Sequence, residues 1–284
     1  MSSNFDILSP KKISRAAHLL LDLFFPQSCT ACQKQFTSGA LSLCRPCHQT
    51  FTARRLVYQQ NSRGVLEIYD SEDQNFQRCT RCAARLTENG HCQECKEKKI
   101  FFETCWTLFP CTGISQAVFR AVKFADNENL VPYLVQQIPH SWQSIPGSPW
   151  AAGSHTTLVQ LPSSRKFLTT FTHRLAERFA FETIAPFYFQ GKKEKSKKVS
   201  KWRRFEILQH HLKLNLEKIK NQESTSLILV DDLYTTGATL NRAARFLKEH
   251  FPQTPVHVMT PFRRDQIRLS GLPDDSSEFK NEFF

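Results

Sequence analysis

Two adjacent carboxylates followed by a hydroxyl-rich glycine loop are the residues of this chain best suited to chemistry. Asp231 and Asp232 come directly after the apolar run 227–230, and the loop after them contains Thr235, Thr236, Gly237, Ala238 and Thr239. Carboxylate oxygens can accept hydrogen bonds from ribose hydroxyls or hold a hydrated divalent cation. Hydroxyls and N–H groups ahead of a helix can hold a phosphate. The pattern therefore predicts a site for a phosphorylated sugar at the end of a buried parallel strand.

This run resembles the phosphoribosyl-pyrophosphate (PRPP) motif of type I phosphoribosyltransferases, in which four hydrophobic residues and two acids precede a Thr-Thr-Gly-x-Thr loop. The resemblance implies that PRPP binds at Asp231, Asp232 and the loop, with Mg2+ as a candidate companion ion. The alternative interpretation is an ordinary strand, turn and helix with two incidental acids. A Walker P-loop is excluded, because no Gly-Lys-Ser or Gly-Lys-Thr sequence follows the glycine.

Eight of the ten cysteines stand in four Cys-x2-Cys pairs, which form two sets of four. Four thiolates at this spacing are typical of a tetrahedral structural zinc site. Two Zn2+ ions are therefore predicted, with disulfides and iron–sulfur ligation as the alternatives. Because polar and basic residues surround the cysteines, the metal is expected to supply folding energy that apolar burial does not. The sets are Cys29, Cys32, Cys44 and Cys47, then Cys79, Cys82, Cys92 and Cys95.

The overall charge is strongly positive, with 38 basic and 26 acidic residues and a formal net charge of +12. Such a balance suits polyanionic partners such as nucleic acid or phosphorylated metabolites, and also fits a generically basic protein. The sequence has no run of 18 or more apolar residues, so no membrane span is predicted. Residues 16–25 are the one candidate signal peptide, but His18 and Asp22 interrupt them. An amphipathic helix ending at Pro26 and a cytoplasmic location are expected instead.

After residue 101 the apolar pattern alternates between strands and helices. Strands are predicted at 157–161, 227–230 and 256–258, with amphipathic helices between them. This alternation is typical of an α/β fold with a parallel sheet. The chain is thus divided into an N-terminal amphipathic helix over 1–28, a double four-cysteine module over 29–100, and an α/β domain over 101–284 that includes a basic loop at 191–204 and a frayed tail at 272–284.

Tandem four-cysteine sets followed by a PRPP-type motif resemble the architecture of the ComF family, which includes competence proteins acting in natural transformation. The stretches from Leu23 to Pro26 and from Ala121 to Phe124 are also similar to that family. The resemblance implies an α/β fold with a type I phosphoribosyltransferase-like parallel sheet and an N-terminal double zinc-ribbon module. It also implies that Lys123 faces a phosphate, whereas helical periodicity places this lysine opposite the apolar stripe and predicts a solvated side chain.

Two basic regions are further candidates for binding phosphates. Where ComF proteins carry an Arg-Gly-Phe-Asn stretch, this chain has residues 161–167, in which Arg165 and Lys166 could serve a pyrophosphate. The segment 192–204 combines dense positive charge with one tryptophan, which suits single-stranded nucleic acid. A solvated loop is the alternative interpretation. The nucleic-acid candidates are Lys197, Lys198, Lys201, Trp202, Arg203 and Arg204.

These features lead to two functional hypotheses. In the first, a PRPP-type pocket belongs to a DNA-uptake protein that acts through single-stranded DNA or a protein partner of the competence machinery. In the second, the protein is an active phosphoribosyltransferase with an unidentified acceptor. Thr235 stands where some purine transferases of this type carry an acid, so the loop supplies no general base.

Overall fold

The computed structural model describes residues 27–36, 42–71, 77–96, 98–125, 127–151, 153–190, 211–219 and 224–265. The helix predicted before Pro26 lies outside these residues. So do the basic loop 191–204, with all six of its nucleic-acid candidates, and the predicted tail 272–284.

Thirteen strands occur in the described part of the chain. They are β1 (Gln27–Ser28), β2 (Gln35–Phe36), β3 (Leu56–Gln60), β4 (Leu66–Asp70), β5 (Gln77–Arg78), β6 (Cys105–Pro110), β7 (Thr156–Gln160), β8 (Glu182–Ile184), β9 (Phe187–Phe189), β10 (Leu212–Leu214), β11 (Ser226–Val230), β12 (Leu233–Tyr234) and β13 (Val256–Arg263).

The helices lie mainly between the strands of the second half. They are α1 (Arg45–Ala53), α2 (Gln93–Lys96), α3 (Gly113–Phe124), α4 (Leu130–Gln136), α5 (Lys166–Phe179) and α6 (Ala238–His250), with short 3-10 segments at His140–Ser144 and Leu216–Lys218. Among the described residues, no helix combines the length and apolar character needed to cross a membrane.

A parallel sheet forms the centre of the molecule. Its strands lie in the order β8, β7, β11, β13 and β6, and β12 extends the sheet beside the end of β13. Every pairing in this sheet is parallel. The α/β class and the parallel sheet are therefore confirmed, and each predicted strand is observed within about one residue of its predicted start. Strand β11 is fully buried, which explains its unbroken apolar sequence.

The segment before residue 101 packs onto this sheet rather than standing apart from it. Phe51, Leu56 and Ile68 are buried in the same hydrophobic core as Trp106 of β6. Apolar burial in the cysteine-rich segment is thus larger than its polar composition suggests. The antiparallel hairpin of β3 and β4 provides much of it, since alternate residues of β3 point into the core.

Tyr58 shows how the hairpin is attached. Its ring stacks on Trp106, with centroids 5.0 Å apart. Its hydroxyl donates to the carbonyl of Cys105 at 3.0 Å and accepts from the N–H of Thr107 at 2.7 Å. The buried hydroxyl is therefore satisfied by the backbone of β6, which fixes the hairpin against the edge of the sheet.

Candidate functional site

The end of strand β11 and the loop after it form a small cavity. Asp231 and Asp232 follow the last residue of β11, and helix α6 begins at Ala238. Because β11 lies inside a parallel sheet, this edge is where α/β folds commonly bind ligands. The cavity has a volume of about 180 Å3 and is lined by Lys123, Asp231, Asp232, Leu233, Thr235, Gly237, Ala238, Thr239 and Leu240.

Lys123 reaches this cavity from the last turn of α3. Its Nζ lies 2.6 Å from Oδ2 of Asp232, and the two side chains are only 24% and 12% exposed. The same Nζ lies 5.2 Å from the ring centroid of Phe119 and 5.9 Å from that of Phe124. The solvated lysine predicted from periodicity is therefore wrong, because the end of α3 faces the carboxylates and not bulk water. A ligand contact for Lys123 stays a prediction.

The two carboxylates of the motif have different surroundings. Burial, together with the charge of Asp232, raises the pKa of Asp231 to about 7. The Asp232 N–H donates a hydrogen bond to Asp231 Oδ1 at 2.8 Å, and this bond and the charge of Lys123 act in the opposite direction. Near neutral pH Asp231 therefore exchanges between its protonated and ionised forms. Such a pair suits a cation or hydroxyl donors, which stabilise the ionised form.

Gly237 gives the loop its close turn into helix α6. Its φ of +67° lies in the left-handed region, which glycine adopts without strain. A Cβ at this position would lie 2.1 Å from the hydroxyl of Tyr234, so a side chain is excluded by contact as well as by conformation. The first helical hydrogen bond runs from the N–H of Asn241 to the carbonyl of Gly237 at 2.7 Å. The first-turn N–H groups of α6 therefore point toward the loop, where a phosphate can accept from them.

Three of the predicted phosphate ligands do not line this cavity. Thr236 faces a neighbouring cavity that shares Ala238 with the first. Its hydroxyl accepts from the N–H of Ala238 at 3.4 Å. Arg165 is exposed, with its guanidinium carbon 5.7 Å from the ring centroid of Phe124. Lys166 is the exposed first residue of α5. Their roles in pyrophosphate binding stay predictions.

Arg263, which the sequence analysis did not single out, packs against the tyrosine that contacts the glycine loop. It is the last residue of β13 and is fully buried. Its guanidinium lies over the ring of Tyr234, 4.3 Å from the centroid, and pairs with Glu94 at 2.6 Å. It also donates to the carbonyl of Cys82. One side chain thus connects the second cysteine set to the tyrosine that packs against Gly237.

In each cysteine set the four sulfur atoms lie close together. The four sulfurs of each set lie within 4.8 Å of one another, and none of the ten cysteines forms a disulfide in the structure. Cys32 and Cys44 have sulfurs 3.7 Å apart, and the corresponding distance for Cys82 and Cys92 is 3.4 Å. Tetrahedral ligands about 2.3 Å from a zinc ion lie roughly 3.8 Å apart. Both sets therefore fit a metal ion with four thiolate ligands.

Comparisons with known proteins add little to this picture. No protein-family model and no curated protein matches the chain. Among solved structures, a hypoxanthine phosphoribosyltransferase from Staphylococcus aureus is similar over 52% of this chain and 71% of that chain, with 12% sequence identity and a TM-score of 0.31. A likeness at this level carries no inference about the activity of this chain.

Proposed function

We propose that the cavity at the end of β11 binds PRPP or a closely related phosphoribosyl ligand. The observation that carries this proposal is that Lys123, both carboxylates and the glycine loop line one cavity. The loop and the first turn of α6 would hold the 5′-phosphate through N–H groups and hydroxyls. Asp231 and Asp232 would accept from the ribose hydroxyls. Lys123 supplies a positive charge for the pyrophosphate once a ligand competes for its carboxylate partner.

Mg2+ fits the donor set of this cavity as the companion of such a ligand. The ion prefers oxygen ligands and is commonly held by one or two carboxylates together with substrate phosphates. Asp231 and Asp232 offer carboxylates of this kind, and their mutual repulsion contributes to the raised pKa of Asp231. The bound ion would neutralise pyrophosphate charge, and the protein residues would position the sugar.

We also propose that both cysteine sets hold structural zinc and that the protein acts in DNA uptake, as the ComF resemblance implies. The order of features along the chain supports this role, since two four-thiolate sites precede the phosphoribosyl motif. In this role the protein would act by binding single-stranded DNA or a competence protein. Phosphoribosyl transfer to an acceptor is the alternative, and Thr235 offers that reaction no proton acceptor.

Titration calorimetry with PRPP and Mg2+ tests the pocket directly. Wild-type protein should bind PRPP, and Asp232→Asn should weaken binding by about tenfold or more, because charged hydrogen bonds are lost. Glu177→Gln is the matched control, since this exposed carboxylate on α5 pairs only with its neighbour Arg174 among the contacts described for it. Absence of PRPP binding by the wild type would refute the proposal.

A pyrophosphate-release assay then separates binding from transfer. Binding without release, across a panel of nucleobase acceptors, supports a binding role. Release that depends on one acceptor and on Asp232 supports the transferase alternative.

A further inference from the structure

A larger cavity adjoins the PRPP-type cavity on the other side of Ala238. It encloses about 390 Å3 between residues 98–101, which follow the second cysteine set, and helix α6. Small-molecule sites usually measure about 300–1,000 Å3, so the space suits a ligand of nucleotide size. The residues that define it chemically are Lys98, Phe101, Asn241, Arg242, Arg245 and Phe246.

Asn241 fixes the two walls of this cavity relative to each other. Its side-chain oxygen accepts from the N–H of Phe101 at 2.8 Å, and its side-chain nitrogen donates to the carbonyl of Lys99 at 2.8 Å. Both hydrogen bonds join α6 to a segment that lies 140 or more residues earlier in the chain. The spacing between the walls is therefore set by the backbone of the 98–101 segment and not by flexible side chains alone.

Two partly exposed aromatic rings face this space, each beside an arginine. The guanidinium carbon of Arg245 lies 5.8 Å from the centroid of Phe101, and that of Arg242 lies 5.2 Å from the centroid of Phe246. Aromatic rings next to cations are the combination that stacks a planar base and holds its phosphate.

The side chains that line the cavity carry a net positive charge. Lys98, Arg242 and Arg245 contribute three cations, and Glu249 contributes one carboxylate, which pairs with Arg245 at 2.8 Å. Lys98 contacts the cavity wall through its Nζ, 3.5 Å from the carbonyl of Thr236. The buried Nε of Arg242 has no hydrogen-bond partner among the described residues. An anionic ligand in the cavity would pair with the accessible nitrogens of these three cations.

We propose that this cavity binds a nucleoside phosphate. The base would lie against Phe101 or Phe246, and the phosphate would be held by Lys98, Arg242 and Arg245. A free mononucleotide and one unit of a single-stranded nucleic acid share this chemistry. The proposal goes beyond PRPP binding and does not depend on it, because its cations and rings are separate from those of the first cavity.

Binding of AMP and of a labelled single-stranded oligothymidylate to the full chain tests the proposal, by calorimetry and fluorescence anisotropy respectively. At least one probe should bind, and the double substitution Arg242→Gln with Arg245→Gln should weaken binding by about tenfold or more. Binding of AMP identifies a free nucleotide, and binding of the oligonucleotide alone identifies a strand. Both outcomes support the site.

Arg174→Gln is the matched control, because Arg174 forms an equivalent exposed ion pair with Glu177 on α5 at 2.8 Å. This change should leave both probes unaffected, and Phe246→Leu should weaken binding without changing its salt dependence. Failure of both probes to bind the wild type would overturn the proposal. Equal losses in Arg174→Gln and in the double variant would also overturn it, since they indicate nonspecific charge.

Asp232→Asn separates this proposal from that for the PRPP cavity. Nucleotide binding should survive the substitution, whereas PRPP binding should not. Loss of AMP or oligonucleotide binding in Asp232→Asn would place those probes in the first cavity and refute a second site.

Discussion

The two cysteine sets have the same ligand chemistry and both pack against apolar core residues, but among the contacts described the second set adds buried charged contacts to the sheet. The first set ends in helix α1, whose Phe51 stacks on Phe109 of β6 with centroids 4.1 Å apart. The second set is joined to the end of β13 by polar contacts, through Arg263 to Glu94 and to the Cys82 carbonyl. Apolar packing tolerates small shifts, whereas a buried ion pair loses much of its stabilisation when its geometry changes.

A second buried arginine strengthens the polar attachment. Arg78, directly before Cys79, pairs with Asp70 at 2.7 Å and binds Asp265 through two nitrogens at 2.9 and 3.0 Å. Its side chain is almost entirely buried. The second set is therefore held by two arginines whose charges have no access to solvent, and the first set has no equivalent among the contacts described. Substitutions at the second set should therefore destabilise the central sheet more than substitutions at the first set.

The largest difference is expected between serine substitutions at the two metal sites. Cys82 is fully buried and Cys32 is exposed. If the second set holds a metal as proposed, Cys82→Ser should remove it and lower the free energy of unfolding by on the order of 5 kcal/mol. Cys32→Ser should cost clearly less, because the altered ligand can be replaced by water at the surface. Metal analysis and urea denaturation measure both effects. Equal losses of stability in the two variants would contradict the expected difference between the two sets.

A smaller loss is expected when the polar link alone is removed. Arg263→Gln should cost about 3–5 kcal/mol, because it leaves the carboxylate of Glu94 buried without its partner. Phe51→Leu, the corresponding change at the first set, should cost about 1–2 kcal/mol. Chemical denaturation measures both. Adding Glu94→Gln to Arg263→Gln should recover part of the stability, and a double variant no more stable than the single one would contradict the ion-pair explanation.

The last prediction concerns how stability depends on pH through Asp231, which lies at the end of β11. The folded pKa of Asp231 is about 7, against an ordinary value of 3.8, so the folded state holds this proton more tightly than the unfolded state. The contribution of Asp231 to stability is therefore fully present below about pH 4 and is lost as pH rises toward 7. Asp231→Asn should be nearly as stable as the ligand-free wild type at pH 4 and increasingly more stable than it as pH rises to 8.

Thermal or chemical unfolding of both proteins at several pH values between 4 and 8 checks this difference. A constant difference between Asp231→Asn and wild type would show that Asp231 titrates normally.

Features encoded by neighbouring residues could be predicted from the sequence. Cys-x2-Cys pairs bring two thiolates to one metal through a single turn, so both cysteine sets were identifiable without knowledge of the fold. The same holds for Asp231, Asp232 and Gly237, because a strand, a turn and a helix start follow one another directly. The strands of the central sheet were also predictable from their apolar runs.

Features that depend on distant residues were not predictable. Glu94 lies 169 residues from Arg263 in sequence, and Asp265 lies 187 residues from Arg78. No local pattern distinguishes such buried arginines from solvated ones. The solvated interpretation of Lys123 failed for the same reason, since periodicity describes the faces of a helix but not what lies beyond its end. The Arg-Arg-Asp run at 263–265 begins at the last residue of β13, and it indicates a cluster of charges without showing which of them is buried.

The position of Arg263 has a thermodynamic consequence for the whole molecule. Its guanidinium contacts both the second cysteine set and Tyr234, the residue that packs against the glycine loop. A displacement of this side chain would therefore affect both places. Any coupling between the two proposed sites would be reciprocal: the factor by which a metal at the second cysteine set changes the affinity for a phosphoribosyl ligand would equal the factor by which that ligand changes the affinity for the metal.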